Sequence, residues 1–319
     1  MILFINFDNL FILHSKTNLM EEKQPTVEDW YKAGEIAAKV RDFAAKLAKP
    51  NALLLDIANQ IEQKILDEGA IPGFPANLSL NTIAAHYTPH INDQTILTKE
   101  HVLKIDVGTC MNGAIGDTAI TIDLTEKYEK LVESSKQALA NVTKLLQPGT
   151  TLGDVGKTIQ ETIENYGYKP VLNLSGHGLE AYTIHSAPSF PNYNNNNKQH
   201  IKVGQTFAIE PFATDGAGKI KEGQQPNIFE PIDKKPIRDS NARVLFSEVM
   251  EKYKGLPFAK RWLLSQKWNE QRIDSALRML KANRNIVSHS PLVEVADGII
   301  TQAEHTFIVE EDRVVCLTK

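Results

Sequence analysis

Cysteine is nearly absent: Cys110 and Cys316 are the only two in 319 residues. Two sparse thiols exclude a disulfide scaffold and fit a reducing compartment such as the cytoplasm. A dominant charge of one sign is lacking as well. The 35 Lys and Arg stand against 39 Asp and Glu, a net of −4. That balance excludes a chain basic throughout and built to coat nucleic acid, while leaving room for a local basic patch. Long uninterrupted apolar runs are missing too. The first nineteen residues read MILFINFDNLFILHSKTNL, and Asn6, Asp8 and Asn9 break the run. The stretch is too short and polar to span a bilayer, and no Lys or Arg precedes it as in a secretion signal. Met20 opens a polar segment, so the expectation is that Met20 is the native start and 1–19 an over-called extension. The alternative is a weakly packed N-terminal strand.

Enough apolar material is present. Hydrophobic residues at 42% and charged residues at 23% exclude wholesale disorder. A chain this long buries a large core without covalent staples, as one large domain or two small ones. An amphipathic helix is expected from Thr26, with Trp30, Ala33, Ile36, Ala37, Val40, Phe43, Ala44 and Leu47 at helical spacing. Thr26 and Asp29 resemble a capping box, and Lys49-Pro50 ends the helix. A second helix is expected near Leu54–Glu68, then strands at Asn77–Ala85, Val102–Val107 and Ile115–Leu124.

The same order then returns, with helices at Glu126–Leu146 and Leu152–Tyr166. Lys46, Leu47, Pro50, Leu54, Asp56, Ile61, Ile65, Gly69 and Pro72 match residues 98 positions later, from Lys144 to Pro170. Leu103-Lys-Ile-Asp106 echoes Phe207-Ala-Ile-Glu210 at an offset of 104. Helix punctuation recurs by chance, but so many coincidences favour a duplicated helix–helix–strand unit. Two such halves pack about a pseudo-twofold axis with Asp106 and Glu210 facing across it.

Asn194–Asn197 is an exposed loop by composition. Residues 233–284 differ from the rest. They hold 13 Lys or Arg against 6 Asp or Glu, a net of +7 that leaves −11 elsewhere, with helical stretches at Val244–Tyr253 and Arg272–Asn283. This contrast reads as an inserted basic, helical, winged-helix-like subdomain over 231–290, leaving 20–230 and 291–319 as the body. The stretch Gly298–Leu317 is strand-like again.

Acids stand where strand patterns call for apolar residues: Asp106, Asp117, Glu210 and Glu304. Carboxylates so placed are costly unless a cation compensates them. Singly, each reads best as a satisfied structural acid. Four of them in strand contexts, with no matching set of buried Lys or Arg expected, point to metal ions. Hard oxygen donors with one imidazole suit two divalent ions. His177, between glycines in Leu-Ser-Gly-His-Gly, is the imidazole candidate.

This constellation resembles the methionine aminopeptidases of type 2 over essentially all of Met20–Lys319. The resemblance rests on Asp106 in KIDVG, Asp117, His177 in SGHG, Glu210 in AIEPFAT, Glu304 in EHTFIV, and the segments FPANLSLN and AAHYTP at 74–81 and 84–89. The insertion and the lack of a long charged N-terminal extension are similar to archaeal members. The family implies the duplicated α/β (α+β) pita-bread fold, which agrees with the repeat. It also implies five ligands, Asp106, Asp117, His177, Glu210 and Glu304, for two divalent ions, with Mn, Fe, Co and Zn not distinguished. Asp117 and Glu304 would bridge, and Glu210 would also shuttle the proton. His86 and His185 would hydrogen-bond around the substrate amide. Phe74, Ile184 and Phe212 are candidates to line the methionine slot, each with ordinary core as its plain reading. The resemblance implies a cytoplasmic monomer that removes initiator Met from nascent chains with a small second residue. It implies no membrane, and the insertion is a candidate ribosome-docking face. Ala303 and His289 depart from the family's usual aromatic residues and bear on pocket width. Two alternatives are a non-catalytic relative binding RNA, which predicts lost ligands, and a proline-specific metallopeptidase of the same fold, which predicts an extra N-terminal domain.

Overall fold

Helix α1 (Val27–Leu47) starts where the sequence stops competing with it. Thr26 Oγ1 accepts the Asp29 amide at 3.2 Å, and Asp29 Oδ2 accepts the Thr26 amide at 2.7 Å. This reciprocal pair satisfies two of the orphan donors at the helix start. The computed structural model describes residues 24–223 and 225–319, so the expected extension 1–19 and the start at Met20 lie outside the described residues. Helix α2 (Leu54–Asp67) buries Leu54, Ile57, Ala58, Ile61 and Ile65 on one face. Strands β1 (Ile71–Pro72), β2 (Asn77–Leu80), β3 (Ile83–Ala85), β4 (Val102–Met111) and β5 (Ala114–Asp123) follow.

The single strand expected over Asn77–Ala85 is two strands. Asn81 turns the chain at φ 49°, and its Oδ1 accepts the Val102 amide at 2.8 Å. Strand β4 runs longer than expected and β5 starts one residue earlier, because Asn112-Gly113 supplies a two-residue hairpin turn with φ of 50° and 97°. Both turn residues are then left-handed, which matches the twist of the flanking strands. Helix α1 lies directly on this hairpin. Thr109 Oγ1 donates to the Ala33 carbonyl at 2.8 Å, and a Cβ on Gly116 would stand 2.4 Å from that same oxygen. Only glycine allows the approach.

Helices α3 (Glu129–Leu145) and α4 (Leu152–Asn165) open the second half, followed by β6 (Lys169–Pro170), β7 (Ser175–Glu180), β8 (Thr183–Pro191), β9 (Thr206–Ile209) and β10 (Phe212–Thr214). Helix α3 begins three residues later than the periodicity predicts. The Asp123 carboxylate accepts the amides of Thr125 and Tyr128 at 2.8 and 2.7 Å, folding Thr125–Lys127 into a turn with Glu126 at φ 61°. The four asparagines at 194–197 form an exposed loop in which their own side chains accept backbone amides.

The duplication extends to backbone register. Helix α4 starts and ends 98 residues after α2, as β6 does after β1. The pairs Ile71↔Cys110 and Pro72↔Thr109 recur as Lys169↔Thr214 and Pro170↔Ala213. Ser79↔Lys104 and Leu80↔Leu103 recur as His177↔Ala208 and Gly178↔Phe207. Each half has its own apolar core, one built on Val40, Leu54, Ile61 and Ile105, the other on Leu139, Ile159, Phe190 and Phe207.

The remaining elements are β11 (Ile220–Glu222), β12 (Ile228–Pro231), α5 (Ser240–Tyr253), β13 (Phe258–Ala259), α6 (Glu270–Ala282), β14 (Ile286–His289), β15 (Leu292–Glu294), β16 (Ile300–Gln302), β17 (His305–Val309) and β18 (Val314–Cys316). Strand β15 joins β11 to β3, β16 pairs with β10, and β17 pairs with β9. Strands β12, β13 and β14 make a small sheet that shares a separate core with α5 and α6, including Leu245, Phe258, Trp268, Ile273 and Leu277. Both helices begin earlier than periodicity predicts, because Asp239 and Asn269 cap them by accepting the Ala242 and Arg272 amides at 2.8 and 3.0 Å. Part of the expected basic face turns inward: Lys260 pairs with Asp274 at 2.6 Å and Glu270 at 3.0 Å, and Arg261 pairs with Glu62. No helix among the described residues is long and apolar enough to cross a membrane.

Candidate metal centre

The two halves meet where β5 passes the break between β16 and β17. Among the described residues one isolated backbone bridge joins β5 to that segment, Ala119↔Glu304. Hydroxyls do the rest. Thr306 Oγ1 donates to the Asp117 carbonyl at 2.7 Å and accepts the Asp117 amide at 2.8 Å. Thr118 Oγ1 donates to the Glu304 carbonyl at 2.8 Å, and Thr121 Oγ1 to the Gln302 carbonyl at 2.7 Å. These bonds fix the height of Asp117 relative to Glu304. The strand-like stretch expected over 298–317 is three strands, β16 to β18. Its first break falls at Ala303-Glu304, which leaves the ladder to cross the seam.

Asp106 comes from β4, Asp117 from β5 and His177 from β7, while Glu210 and Glu304 sit at the ends of β9 and β16. The fold brings all five together. Donor atoms of Asp117, His177 and Glu304 lie within 4.8 Å of one another. His177 Nε2 is 3.8 Å from Asp117 Oδ2 and 3.9 Å from Glu210 Oε1. Burial dominates the electrostatics. It pushes Asp106 up to about 7, and it raises Asp117, Glu210 and Glu304 well above the carboxylate range, with mutual repulsion adding to it. The same burial, helped by neighbouring His185, holds His177 down to about 3. Four acids therefore cannot all ionise together here without added cations.

The polar atoms point to the same conclusion. Asp106 Oδ1 and Asp117 Oδ1 are buried with no hydrogen-bond partner, and buried polar atoms are rarely left so. Lys104 on β4 is buried nearby in the first half, but its Nζ donates to the carbonyls of Asn81 and Ile300 at 3.0 and 2.8 Å. Burial lowers it to about 7. The acids thus have a donor set of the kind that holds a divalent cation: hard carboxylate oxygens plus a neutral imidazole.

Two amides, overlooked in the sequence, complete the inner layer. Gln302 Nε2 donates to Glu210 Oε2 at 3.2 Å and Glu304 Oε2 at 3.3 Å. Asn77 Nδ2 donates to Asp106 Oδ2 at 3.3 Å. Gln302 pairs with Phe212 as Asp117 pairs with Gly108, so under the 104-residue offset it occupies the place in the second half that Asp117 occupies in the first. A signal was present: Gln302 lies two residues before Glu304, hence on the same face of an extended strand.

His86 and His185 stand beside the acids. The His185 ring is 4.5 Å from that of His177 and 6.5 Å from that of His86. Burial lowers His86 well below the usual range and His185 to about 4, leaving both neutral. His289 joins them, its ring 5.4 Å from His86 and its Nε2 3.0 Å from Glu230 Oε2. Phe74 and Ile184 share one apolar cluster with Cys110, whereas Phe212 lies in another with Ala85 and Ile300. Ala303 is buried in the second-half core.

Comparison with known proteins places this arrangement in context. The model of metallopeptidase family M24 matches residues 28–240. A methionine aminopeptidase of Methanocaldococcus jannaschii is 44% identical over 287 residues, covering 90% of this chain and 96% of its own. Among solved structures, the methionine aminopeptidase of Thermotoga maritima superposes with a TM-score of 0.68 at 21% identity, covering 93% of this chain and 99% of that one. A thermophilic Arx1 gives a TM-score of 0.81 at 16% identity, over 92% and 91%. The last two likenesses are of fold.

Proposed function

The chain belongs to metallopeptidase family M24, with its duplicated α/β pita-bread fold, and from that premise we infer that it acts as a methionine aminopeptidase on the N-terminus of nascent peptides. The observation that carries the reading is the cluster of Asp117, His177 and Glu304 with Glu210 beside the imidazole and Asp106 near enough to repel the other acids, two of the acids with orphaned oxygens, in a chain 44% identical to a methionine aminopeptidase. The family uses divalent metal. Asp106, Asp117, His177, Glu210 and Glu304 are the residues we assign to hold it, as two ions drawn from Mn, Fe, Co or Zn. When bound, such ions lower the pKa of a water and polarise the scissile carbonyl.

The chain's own residues do the rest. Glu210 takes a proton and delivers it to the leaving amine; Gln302 holds one of its oxygens and leaves the other for that work. His86 and His185, both neutral, hydrogen-bond to the substrate amide and stabilise the charge that builds on its oxygen. Ile184, next to His185 and clustered with Phe74, supplies apolar wall for the methionine side chain. Phe212 backs the segment before His86 from its own cluster. A small second residue is required because the crowded centre faces it. The site lies within one chain, consistent with a monomer.

Glu210→Gln or His177→Ala is expected to abolish release of methionine from a Met-Gly-type peptide after chelation and metal repletion. Full turnover by either variant with metal bound would refute the assignment. We also assign ribosome contact to the exposed basic residues Arg238, Lys252, Arg278, Lys281 and Arg284 of the 231–290 segment. Lys260 and Arg261 are excluded from that face, since both are engaged within the fold. Co-sedimentation with ribosomes is expected to fall steeply with salt and after replacing these five with Glu. Unchanged co-sedimentation would dispose of that contact.

A further inference from the structure

Glu62 is a buried acid on α2, remote in sequence from the residues that satisfy it. Arg261, in the short 3₁₀ turn Lys260–Leu263, pairs with Glu62 Oε1. Trp262 Nε1 donates to Oε2 at 2.7 Å, and the Ala76 amide donates to Oε1 at 3.2 Å. The second arm of the Arg261 guanidinium donates to Thr88 Oγ1 at 2.7 Å and to the Pro89 carbonyl at 3.3 Å. Thr88 Oγ1 in turn donates to the Ala76 carbonyl at 2.9 Å. The bonds close a ring through the 3₁₀ turn, α2, Ala76 and Thr88-Pro89.

Two groups of the site hang from that ring, one beside the substrate and one beside the acids. His86 is two residues before Thr88 and adopts φ 62°, a left-handed conformation uncommon outside glycine. The Leu78 amide donates to the Tyr87 carbonyl at 2.7 Å, so the turn bearing His86 is fixed between Leu78 and the ring. On the other side, Asn77 follows Ala76 and donates to Asp106.

A buried ion pair is a poor way to add stability, since desolvation consumes most of the attraction. An arginine fork does supply direction, because its donors are coplanar and reach two partners at fixed angles. On the reading of the protein as a methionine aminopeptidase, we propose that Arg261 is a positioning residue for His86. The basic subdomain thereby sets the placement of an imidazole in the catalytic body through Glu62, Thr88 and Pro89.

The test is a double-mutant cycle on the full chain with saturating metal, reading kcat for methionine release from a Met-Gly-type peptide. Arg261→Lys keeps the charge beside Glu62 and loses the fork. Thr88→Val removes one hydroxyl at near-constant volume and leaves the ion pair intact, so it probes the same link with little risk to folding. Each is expected to lower kcat by about tenfold or more, as misplacement of a substrate-side group by a fraction of an ångström does. Neither is expected to lower it further in a His86→Ala background. Losses that multiply with that of His86→Ala, as a purely structural role would give, overturn the proposal. So does unchanged kcat in the two single variants. Wild-type protein that releases no methionine overturns the aminopeptidase reading itself, and this proposal with it.

Discussion

Neutralising Asp106 should stabilise the metal-free protein while ruining it for metal. Burial holds its carboxyl at about 7, although hydrogen bonds from Asn77 and Gln302 pull the other way. A folded-state pKa above the unfolded value near 3.8 means that folding prefers the protonated form. The stability this proton contributes is complete below the unfolded value and is lost as pH rises through about 7. At 1.36 kcal/mol per unit, the loss above pH 7 is about 4 kcal/mol. Because Asp117, Glu210 and Glu304 compete for the same protons, one neutralisation recovers about half of that, an expected gain of about 2 kcal/mol. At this chain length that is a rise in Tm of roughly 4 °C for Asp106→Asn over wild type in chelator near pH 8. The gain should vanish near pH 4. With saturating divalent metal the order should invert, because wild type gains binding energy that the variant lacks. Thermal unfolding by circular dichroism, with chelator and with metal at both pH values, reads all four cases. An Asp106→Asn variant that melts below wild type in chelator near pH 8 would refute the reasoning.

Other outcomes follow from particular bonds. Gln302→Leu strips the shared amide from Glu210 and Glu304, and should cost about 10- to 100-fold in metal affinity or activity, checked by metal titration of the apoprotein. Glu294 accepts the amides of Ala217, Gly218, Ala296 and Gly298 at 2.6, 3.1, 2.5 and 3.2 Å. Glu294→Ala should lower stability in denaturant titration by about 3 kcal/mol. Burial tends to raise that carboxyl, but those bonds prevail and hold it low. Its contribution is therefore present above the unfolded value and fades as pH falls through the folded one. Gly116→Ala forces a Cβ to within 2.4 Å of the Ala33 carbonyl and should destabilise by about 2 kcal/mol or more, with a shift in the metal titration because Asp117 is the next residue.

Much of this molecule is legible in its sequence because duplication leaves marks that single elements do not. The 98-residue echo of Leu54, Ile61, Gly69 and Pro72 reports two helices and two strand pairings at once, and the structure keeps its register. Acids in strand contexts are legible for a related reason, since burial makes a carboxylate conspicuous. Turn chemistry hid the rest. Asn81 breaks one expected strand, Asp123 delays α3, and Ala303-Glu304 interrupts another strand; each depends on a partner remote in sequence or on side-chain bonding that periodicity does not carry. Gln302 and Asn77 are uncharged, so their burial carries no conspicuous cost in the sequence. Lys260 and Arg261 counted toward a solvated basic face, yet the acids that take them in, Glu62 above all, are recognisable only after folding.

The seam between the halves has a consequence for how the molecule opens. One backbone bridge and a few threonine hydroxyls hold β5 to the β16–β17 segment, while the β3–β15 ladder and the apolar cluster of Phe74, Cys110, Ile184 and Ile308 join the halves elsewhere. Opening along this line is then a local event that leaves those other contacts in place. Amide protons at Asp117, Ala119, Gln302 and Glu304 lie on it, so their hydrogen exchange reports that local opening rather than global unfolding. A cation held by acids from both sides closes the same line, which makes slow exchange at those four amides a measure of occupancy that requires no turnover.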